Sequence, residues 1–153
     1  MNIKALLDED FVNFKECSMF IGFPTCTWKC GKGLCQNSFL ATSKGIEVTI
    51  DFLIDRFIKN PISKAIVFGG LEPMDSFNEV CELISKLREN SGAYVVIYTG
   101  YESNEINDKI EQLKQFDNII VKFGRYLQDQ KPHFDEILGV MLQSDNQYAE
   151  VIS

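Results

Sequence analysis

Residues 65–98, AIVFGGLEPMDSFNEVCELISKLRENSGAYVVIY, hold two short apolar runs on either side of a segment with helical periodicity. The first run ends at Gly69-Gly70 and the second at Thr99-Gly100. Short apolar runs that end at glycine are typical of buried strands, and an apolar face that repeats every three or four residues is typical of a helix packed on a sheet. The stretch therefore predicts a strand, a helix and a second strand.

The same alternation continues on both sides of this stretch. Apolar runs at residues 17–23 and 119–121 predict two more strands, and residues 50–58 and 106–113 have the apolar period of two more helices. Strands that alternate with helices form parallel sheets with right-handed crossovers. We therefore expect a single α/β domain over residues 1–153.

Residues at the helix ends indicate where two of the helices begin and end. Thr49 and Ser76 are placed as N-caps, because their hydroxyl oxygens can accept a hydrogen bond from the first turn. Asn60-Pro61 ends the first of these helices, and residues 90–92 end the second.

Composition and charge argue against several kinds of partner. The 22 acidic and 15 basic residues give a net charge of −7, and no Lys/Arg cluster is dense enough to bind nucleic acid or an anionic membrane. No apolar run approaches the ~20 residues that span a bilayer, and the N-terminus lacks the apolar core of a signal peptide. We expect one buried core and a reducing, cytoplasmic location.

Three of the five cysteines, Cys26, Cys30 and Cys35, lie in one short segment, CTWKCGKGLC at residues 26–35. Cysteines this close together predict a ligand set for a soft metal centre. A [4Fe–4S] cluster normally takes four cysteines, so three thiolates can hold it and leave one iron open to a substrate or cofactor. The segment therefore favours a catalytic iron–sulfur protein.

The cysteine spacing alone leaves a zinc site and free thiols open as alternatives. Zinc sites usually combine pairs of ligands, and a closed zinc site here has to recruit Cys17, Cys81 or His133. A disulfide framework is a weaker alternative, because the number of cysteines is odd. We expect Cys17 and Cys81 to be core thiols and His133 to be exposed in a loop.

Glycines and polar residues follow three of the predicted strands. The cysteine loop, residues 69–73 (GGLEP) and residues 99–101 (TGY) each come directly after a strand. Ligands of parallel sheets bind beyond the carboxyl ends of the strands, so these segments are expected to converge. Glycines let a ligand approach the backbone, and Glu72 is suited to an ammonium group. The alternative is an ordinary glycine turn in which Glu72 is a solvated charge.

Four segments resemble, in chain order, one family of enzymes. They are the cysteine loop, residues 68–74 (FGGLEPM), residues 96–101 (VIYTGY) and residues 142–147 (LQSDNQ). Together they are similar to the activating proteins of anaerobic ribonucleoside-triphosphate reductase, which are small radical S-adenosylmethionine enzymes. The resemblance implies an α/β fold of the partial (open) β/α barrel type with a mainly parallel sheet.

The chain departs from the family pattern at two places. Its cysteines are spaced C-x3-C-x4-C, whereas the usual family spacing is C-x3-C-x2-C. Gly31 and Gly33 lie in the longer arm and allow it to bulge, so we interpret the spacing as a tolerated variant. The usual Gly-Gly-Glu-Pro is split by Leu71, which shifts Glu72 by one residue.

The resemblance implies a cluster and a cofactor. Cys26, Cys30 and Cys35 would bind three irons of a [4Fe–4S] cluster, and S-adenosyl-L-methionine would bind the fourth through its amino and carboxylate groups. The implied cofactor contacts are Gly69, Gly70 and Glu72 at the amino group, Leu34 near the adenine, and Thr99 and Gly100 on the ribose side. No catalytic side chain beyond these ligands is implied.

The implied activity is that of a glycyl-radical-enzyme activating oxidoreductase. A flavodoxin-like or ferredoxin-like donor would reduce the cluster, and the 5′-deoxyadenosyl radical would take a hydrogen atom from a glycine of the reductase's large subunit. Residues 37–44 and 124–129 are candidate contacts for that subunit. Two alternatives remain: a radical S-adenosylmethionine reaction on a small molecule, and a non-enzymatic, zinc-stabilised interaction module.

Overall fold

A computed structural model describes residues 1–27 and 38–153 of the chain. In these residues the strands are β1 (Asn2–Ile3), β2 (Ala5–Asp10), β3 (Ser18–Phe23), β4 (Ile46–Glu47), β5 (Ala65–Gly70), β6 (Tyr94–Tyr98), β7 (Ile119–Phe123), β8 (His133–Asp135), β9 (Val140–Leu142) and β10 (Tyr148–Val151). The α-helices are α1 (Ser38–Thr42), α2 (Ile50–Lys59), α3 (Phe77–Arg88) and α4 (Asn107–Leu113), and short 3-10 helices lie at Pro73–Ser76 and Ser103–Glu105. None of these helices is long and apolar enough to cross a membrane.

Six strands form one mixed sheet in the order β10-β7-β6-β5-β3-β2. The four central strands β3, β5, β6 and β7 run parallel, as the alternation of strands and helices predicts. The edge strands β2 and β10 pair antiparallel with β3 and β7. The sheet is therefore mixed, where the resemblance implied a mainly parallel one. Among the described strands it stays open, and no barrel closes.

One face of the central sheet packs against α2, α3 and α4. Alternate residues of each strand point to this face, because the side chains of a strand have a period of two. The strands contribute Met19, Ile21, Phe23, Ile66, Phe68, Val95, Ile97, Ile119, Val121 and Phe123 to this helix-side core, and the helices contribute Leu53, Ile54, Phe57, Val80, Leu83, Ile84, Leu87, Ile110 and Leu113. The predicted helices thus bury the apolar faces from which they were recognised.

The opposite face is partly covered by the antiparallel hairpin of β8 and β9. The buried residues of this hairpin-side core are Phe14, Ala65, Val67, Val96, Ile120, Leu138, Leu142 and Ala149, with Phe20 and Tyr98 packed against them. At the carboxyl ends of the parallel strands, Gly69, Tyr98 and Lys122 line a cleft. The fold therefore places an open site where the four parallel strands end.

The two predicted N-caps have different outcomes. Thr49 is confirmed, because its Oγ1 accepts a hydrogen bond from the Phe52 amide at 3.1 Å. Helix α2 then ends at Lys59, directly before Asn60-Pro61, as predicted. Ser76 stands at the N-cap position of α3, as predicted, but its side chain makes no cap hydrogen bond. Its hydroxyl oxygen lies 3.0 Å from that of Thr25 instead, and a 3-10 helix runs directly into α3 at this residue.

A buried carboxylate attaches the hairpin to the sheet. Asp135, the last residue of β8, accepts a hydrogen bond from the Leu138 amide at 2.9 Å through Oδ1. Its Oδ2 accepts a second bond from the Ala149 amide of β10 at 3.0 Å. Hydrogen bonds to a carboxylate are stronger than bonds between neutral groups, so the first bond strengthens the turn of the hairpin and the second links the hairpin to the edge strand.

We predict that Asp135→Ala lowers the free energy of unfolding by about 2 to 4 kcal/mol, because two buried amides lose their acceptor. Asp135→Asn should cost less, since the carboxamide oxygen still accepts one of the two bonds. Urea unfolding followed by circular dichroism measures both changes. The adjacent, exposed Glu136→Ala is the control, and a loss no larger than that of this control would contradict the role of Asp135.

Candidate functional site

A cleft of about 480 Å³ lies at the carboxyl ends of the four parallel strands. Six of the residues that the sequence predicts for the site line it: Cys26, Gly69, Gly70, Glu72, Thr99 and Gly100. The other three, Leu34, Cys30 and Cys35, lie outside the described residues. The structure therefore brings together segments that follow three different strands, β3, β5 and β6.

The two glycines of β5 are required by packing between strands. Gly70 has a φ of +88°, and a Cβ built on it would lie 2.8 Å from the Gly22 Cα. A Cβ on Gly69 would lie 2.7 Å from the ring of Phe20. A larger residue at Gly70 would press on the backbone of β3, and one at Gly69 would have to displace the Phe20 ring, so Gly70 in particular permits the close pairing of these two strands.

Glu72 is a buried acid at the base of the cleft, with 4% of its surface exposed. Its Oε1 accepts a hydrogen bond from the Met74 amide at 3.0 Å, and its Oε2 accepts one from the Gly100 amide at 2.9 Å. Burial raises the pKa of Glu72, and the two amides partly oppose that shift. The alternative of a solvated loop charge is therefore wrong, and Leu71 does not displace Glu72 from the cleft.

Cys26 lies in the segment after β3, which is held by hydrogen bonds on both sides of the cysteine. On its N-terminal side, the Thr25 carbonyl accepts a hydrogen bond from the Glu72 amide at 2.7 Å. The hydroxyl oxygens of Thr25 and Ser76 are 3.0 Å apart. The segment that carries the first cysteine is thus bonded to the loop that carries the buried acid.

The C-terminal side of Cys26 is held by Asp75 and Tyr101. The Thr27 amide donates a hydrogen bond to Asp75 Oδ2 at 2.9 Å, and the Tyr101 hydroxyl donates one to Asp75 Oδ1 at 2.7 Å. The Tyr101 hydroxyl also lies 3.2 Å from Thr27 Oγ1. Arg125 lies over the Tyr101 ring, 5.6 Å from its centroid. The sequence pattern did not single out Asp75, because one acidic residue at the start of a helix is ordinary.

Lys122 brings a buried cation to the cleft wall. Its Nζ donates a hydrogen bond to the Gly124 carbonyl at 2.8 Å and lies 5.8 Å from the centroid of the Tyr98 ring. Burial lowers the pKa of Lys122 to about 8, although the charges of Glu72 and Glu102 favour its protonated form. The signal in the sequence was a lysine inside an apolar strand, IIVKF, which the sequence analysis left unused.

The polar segment near the C-terminus, residues 144–147, holds one edge of the cleft. Asn146 Nδ2 donates to the Arg125 carbonyl at 2.8 Å, and Gln147 Nε2 donates to the Gly124 carbonyl at 3.3 Å. The Leu127 amide donates to Ser144 Oγ at 3.2 Å. The amide side chains of this segment therefore fix the loop after β7, from which Arg125 reaches the cleft.

The remaining sulfur and imidazole groups make other contacts. Cys17 Sγ lies 3.7 Å from Ser63 Oγ. Cys81 lies on α3, and its partial burial raises the pKa of its thiol. His133 is half-buried in β8, with Nε2 2.6 Å from the Gln147 carbonyl oxygen, so the expectation of an exposed loop histidine is wrong. Within residues 1–27 and 38–153, no three His, Cys, Asp or Glu side chains are grouped to hold a metal ion.

We predict that Lys122→Met raises the free energy of unfolding by about 1 to 3 kcal/mol at pH 7. The native pKa is about 8 and the usual value is 10.5, so the unfolded state binds the proton more tightly and the wild type is destabilised at pH 7. As the pH rises from 8 to 10.5, wild-type stability recovers and the advantage of the variant shrinks. Urea unfolding at several pH values tests this, with the exposed Lys64→Met as control. An effect that does not change with pH would contradict it.

Comparison with known proteins identifies the family. Residues 15–147 match the family model described as a 4Fe-4S single cluster domain. The match covers most of the chain, including the three clustered cysteines and every strand of the cleft. A search of curated proteins found no match. Of the metal centres that the cysteine spacing left open, the match supports the 4Fe-4S cluster, and the chain belongs to the 4Fe-4S single cluster domain family.

Proposed function

We propose that the chain is a radical S-adenosylmethionine enzyme that activates anaerobic ribonucleoside-triphosphate reductase. In this proposal Cys26, Cys30 and Cys35 bind a [4Fe–4S] cluster, and S-adenosyl-L-methionine binds in the cleft. The observation that carries the proposal is the cleft itself, which collects the first cysteine and the segments after two other parallel strands. Family membership supports the cluster, and the four resembling segments support the cofactor and the partner.

The residues present fit a three-cysteine cluster. Thiolates are the usual ligands of such clusters, and Cys26 lies at the cleft, just beyond the carboxyl end of β3. The buried polar groups beside it, Glu72 and Lys122, are already hydrogen-bonded within the protein. Cys26 with Cys30 and Cys35 supplies three ligands and leaves one iron for the cofactor.

The charges of the cleft match the amino-acid half of S-adenosyl-L-methionine. Glu72 can accept a hydrogen bond from the cofactor's amino group, which keeps N–H donors when its nitrogen binds iron, and the Lys122 ammonium is suited to a carboxylate. Both groups are buried, so their interactions with a ligand are less screened than at the surface. The strand end at Thr99-Gly100 lies on the same cleft and is our candidate for the adenosine side.

When bound, the cluster and S-adenosyl-L-methionine would supply reductive cleavage of a sulfonium C–S bond, which provides the means to remove a hydrogen atom from carbon. The electron would come from a flavodoxin-like or ferredoxin-like donor. The protein's own task is to position these groups and exclude water. Phe20 and Tyr98 supply an apolar surface to the cleft. Aromatic rings limit the number of groups near the reacting atoms that could lose a hydrogen atom in a side reaction.

A protein loop is the proposed substrate. The side chains of Val12 and Met141 line the cleft and are 74% and 53% exposed, which gives its mouth an apolar rim. Exposed apolar residues at a site are typical of surfaces that contact proteins. The proposed partner is the large reductase subunit, with residues 37–44 and 124–129 as further contacts. We also propose that the fold is of the partial β/α barrel type and that the protein is cytoplasmic.

We predict that the chain, reconstituted without oxygen, holds about four irons and cleaves S-adenosyl-L-methionine when dithionite is present. Iron and sulfide are measured chemically, and 5′-deoxyadenosine by chromatography. Cys35→Ala should abolish the cleavage, because one cluster ligand is lost. Cys81→Ala on α3 is the matched control and should keep it. Zinc in place of iron, or a cluster that never cleaves the cofactor, would contradict the proposal.

A second arm of the same experiment adds the reductase's large subunit. The proposal expects a glycyl radical on that subunit, seen by electron paramagnetic resonance only when the active chain and cofactor are present. Cofactor cleavage with no radical on the subunit would favour the alternative of a small-molecule substrate.

We predict that Glu72→Gln weakens binding of S-adenosyl-L-methionine at least about tenfold while the iron content stays unchanged. The carboxamide removes the negative charge that would pair with the cofactor's amino group, and such charged bonds contribute roughly 1.5 to 3 kcal/mol. Anaerobic calorimetry on the reconstituted protein measures the affinity. Glu82→Gln, at an exposed position of α3, is the control. Wild-type affinity in Glu72→Gln would show that this acid does not bind the cofactor.

A further inference from the structure

We infer that Asp75, acting with Tyr101, is a positioning residue that fixes Cys26 for cluster binding. The inference rests on the proposed function, in which Cys26 is a cluster ligand. Asp75 lies in the 3-10 helix after β5, and neither the cysteine spacing nor the resembling segments assign it to the site.

The carboxylate of Asp75 uses both of its oxygens. Oδ2 accepts the hydrogen bond of the Thr27 amide at 2.9 Å, and Oδ1 accepts that of the Tyr101 hydroxyl at 2.7 Å. The Thr27 N–H belongs to the planar peptide unit that begins at the Cys26 carbonyl carbon. Holding this N–H therefore restricts the backbone of Cys26 and, with it, the direction of the Cα–Cβ bond that carries the thiol.

Tyr101 is itself held in place, so it can serve as an anchor for Asp75. Its side chain is buried, its amide donates to Thr99 Oγ1 at 3.1 Å, and its carbonyl accepts from the Gly124 amide at 3.1 Å. Through Asp75, the strand ends of β5, β6 and β7 are all connected to the segment that follows β3. The first cysteine is thus positioned by the body of the sheet.

A prepositioned ligand should retain a metal centre longer than a free one. Groups that orient metal ligands typically change metal affinity about 10- to 100-fold when they are removed. Because Asp75 bonds to the residue after Cys26, its loss should loosen this ligand while the three thiols themselves remain. Cluster retention is therefore the property that should report on Asp75.

The test compares wild type with Asp75→Ala, Asp75→Asn and Tyr101→Phe, and uses Asp55→Ala on the exposed face of α2 as a control. Asn can keep the arrangement, since its oxygen accepts from Thr27 and its NH2 donates to the Tyr101 oxygen. The first readout is amide hydrogen exchange of the cluster-free chain, resolved to a peptide that contains residues 25–27. The second is the rate at which a chelator removes the cluster from reconstituted protein, followed by its absorbance.

We expect exchange at residues 25–27 to be about tenfold faster in Asp75→Ala, since the loss of one carboxylate bond corresponds to roughly this factor. Cluster loss should also be about tenfold faster. Tyr101→Phe should fall between Asp75→Ala and wild type, and both Asp75→Asn and Asp55→Ala should behave as wild type. Exchange in the β6 and β7 peptides should stay unchanged, which separates a local effect from general destabilisation.

Three results would overturn the inference. The first two are amide exchange at the wild-type rate and cluster loss at the wild-type rate in Asp75→Ala. The third is that Asp75→Asn accelerates exchange and cluster loss as much as Asp75→Ala does, which would attribute the effect to the lost charge. A wild-type chain that loads no cluster would instead contradict the proposed function. A loaded chain that does not cleave S-adenosyl-L-methionine would also contradict that function, and it would leave the positioning role of Asp75 intact.

Discussion

The hydrogen-bonded register of four parallel strands is the constraint on which the rest of the structure depends. Gly22 of β3 lies opposite Gly69 of β5, and Tyr98 of β6 lies opposite Lys122 of β7. A shift of one residue along a strand would exchange its two faces and turn Lys122 into the helix-side core. The chemistry of the cleft is therefore a consequence of strand pairing, and the glycines of β5 matter because they permit that pairing.

The central part of the fold could be predicted because its strands and helices have strong, simple patterns. Residues 65–68 and 94–98 are fully apolar runs, and the helices between strands show one apolar face each. The edge strand β2, with the sequence ALLDED, was missed because its second half is entirely acidic and shows no alternation of apolar and polar residues. The strands β8 and β9 have three residues each, which is too short for a period of two to be recognised.

The sequence could predict that residues following different strands meet at one cleft, but it could not predict residues whose contacts depend on distant partners. Glu72 could be proposed from its place after Gly69-Gly70. Asp75 could not, because its partners Thr27 and Tyr101 are 48 and 26 residues away and only the fold brings them near. Lys122 was visible as a charge in an apolar strand, but its burial and its bond to the Gly124 carbonyl are visible only in the fold.

The two faces of the sheet differ in how firmly they are covered. Three helices pack on one face through a large apolar core, whereas the other carries a short hairpin that the bond between Asp135 and the Ala149 amide helps to attach. Regions with few buried apolar contacts open at a lower free-energy cost than the core. We therefore expect the hairpin to separate from the sheet before the helices do, which would open this side to the proposed protein substrate while the strand ends keep their places.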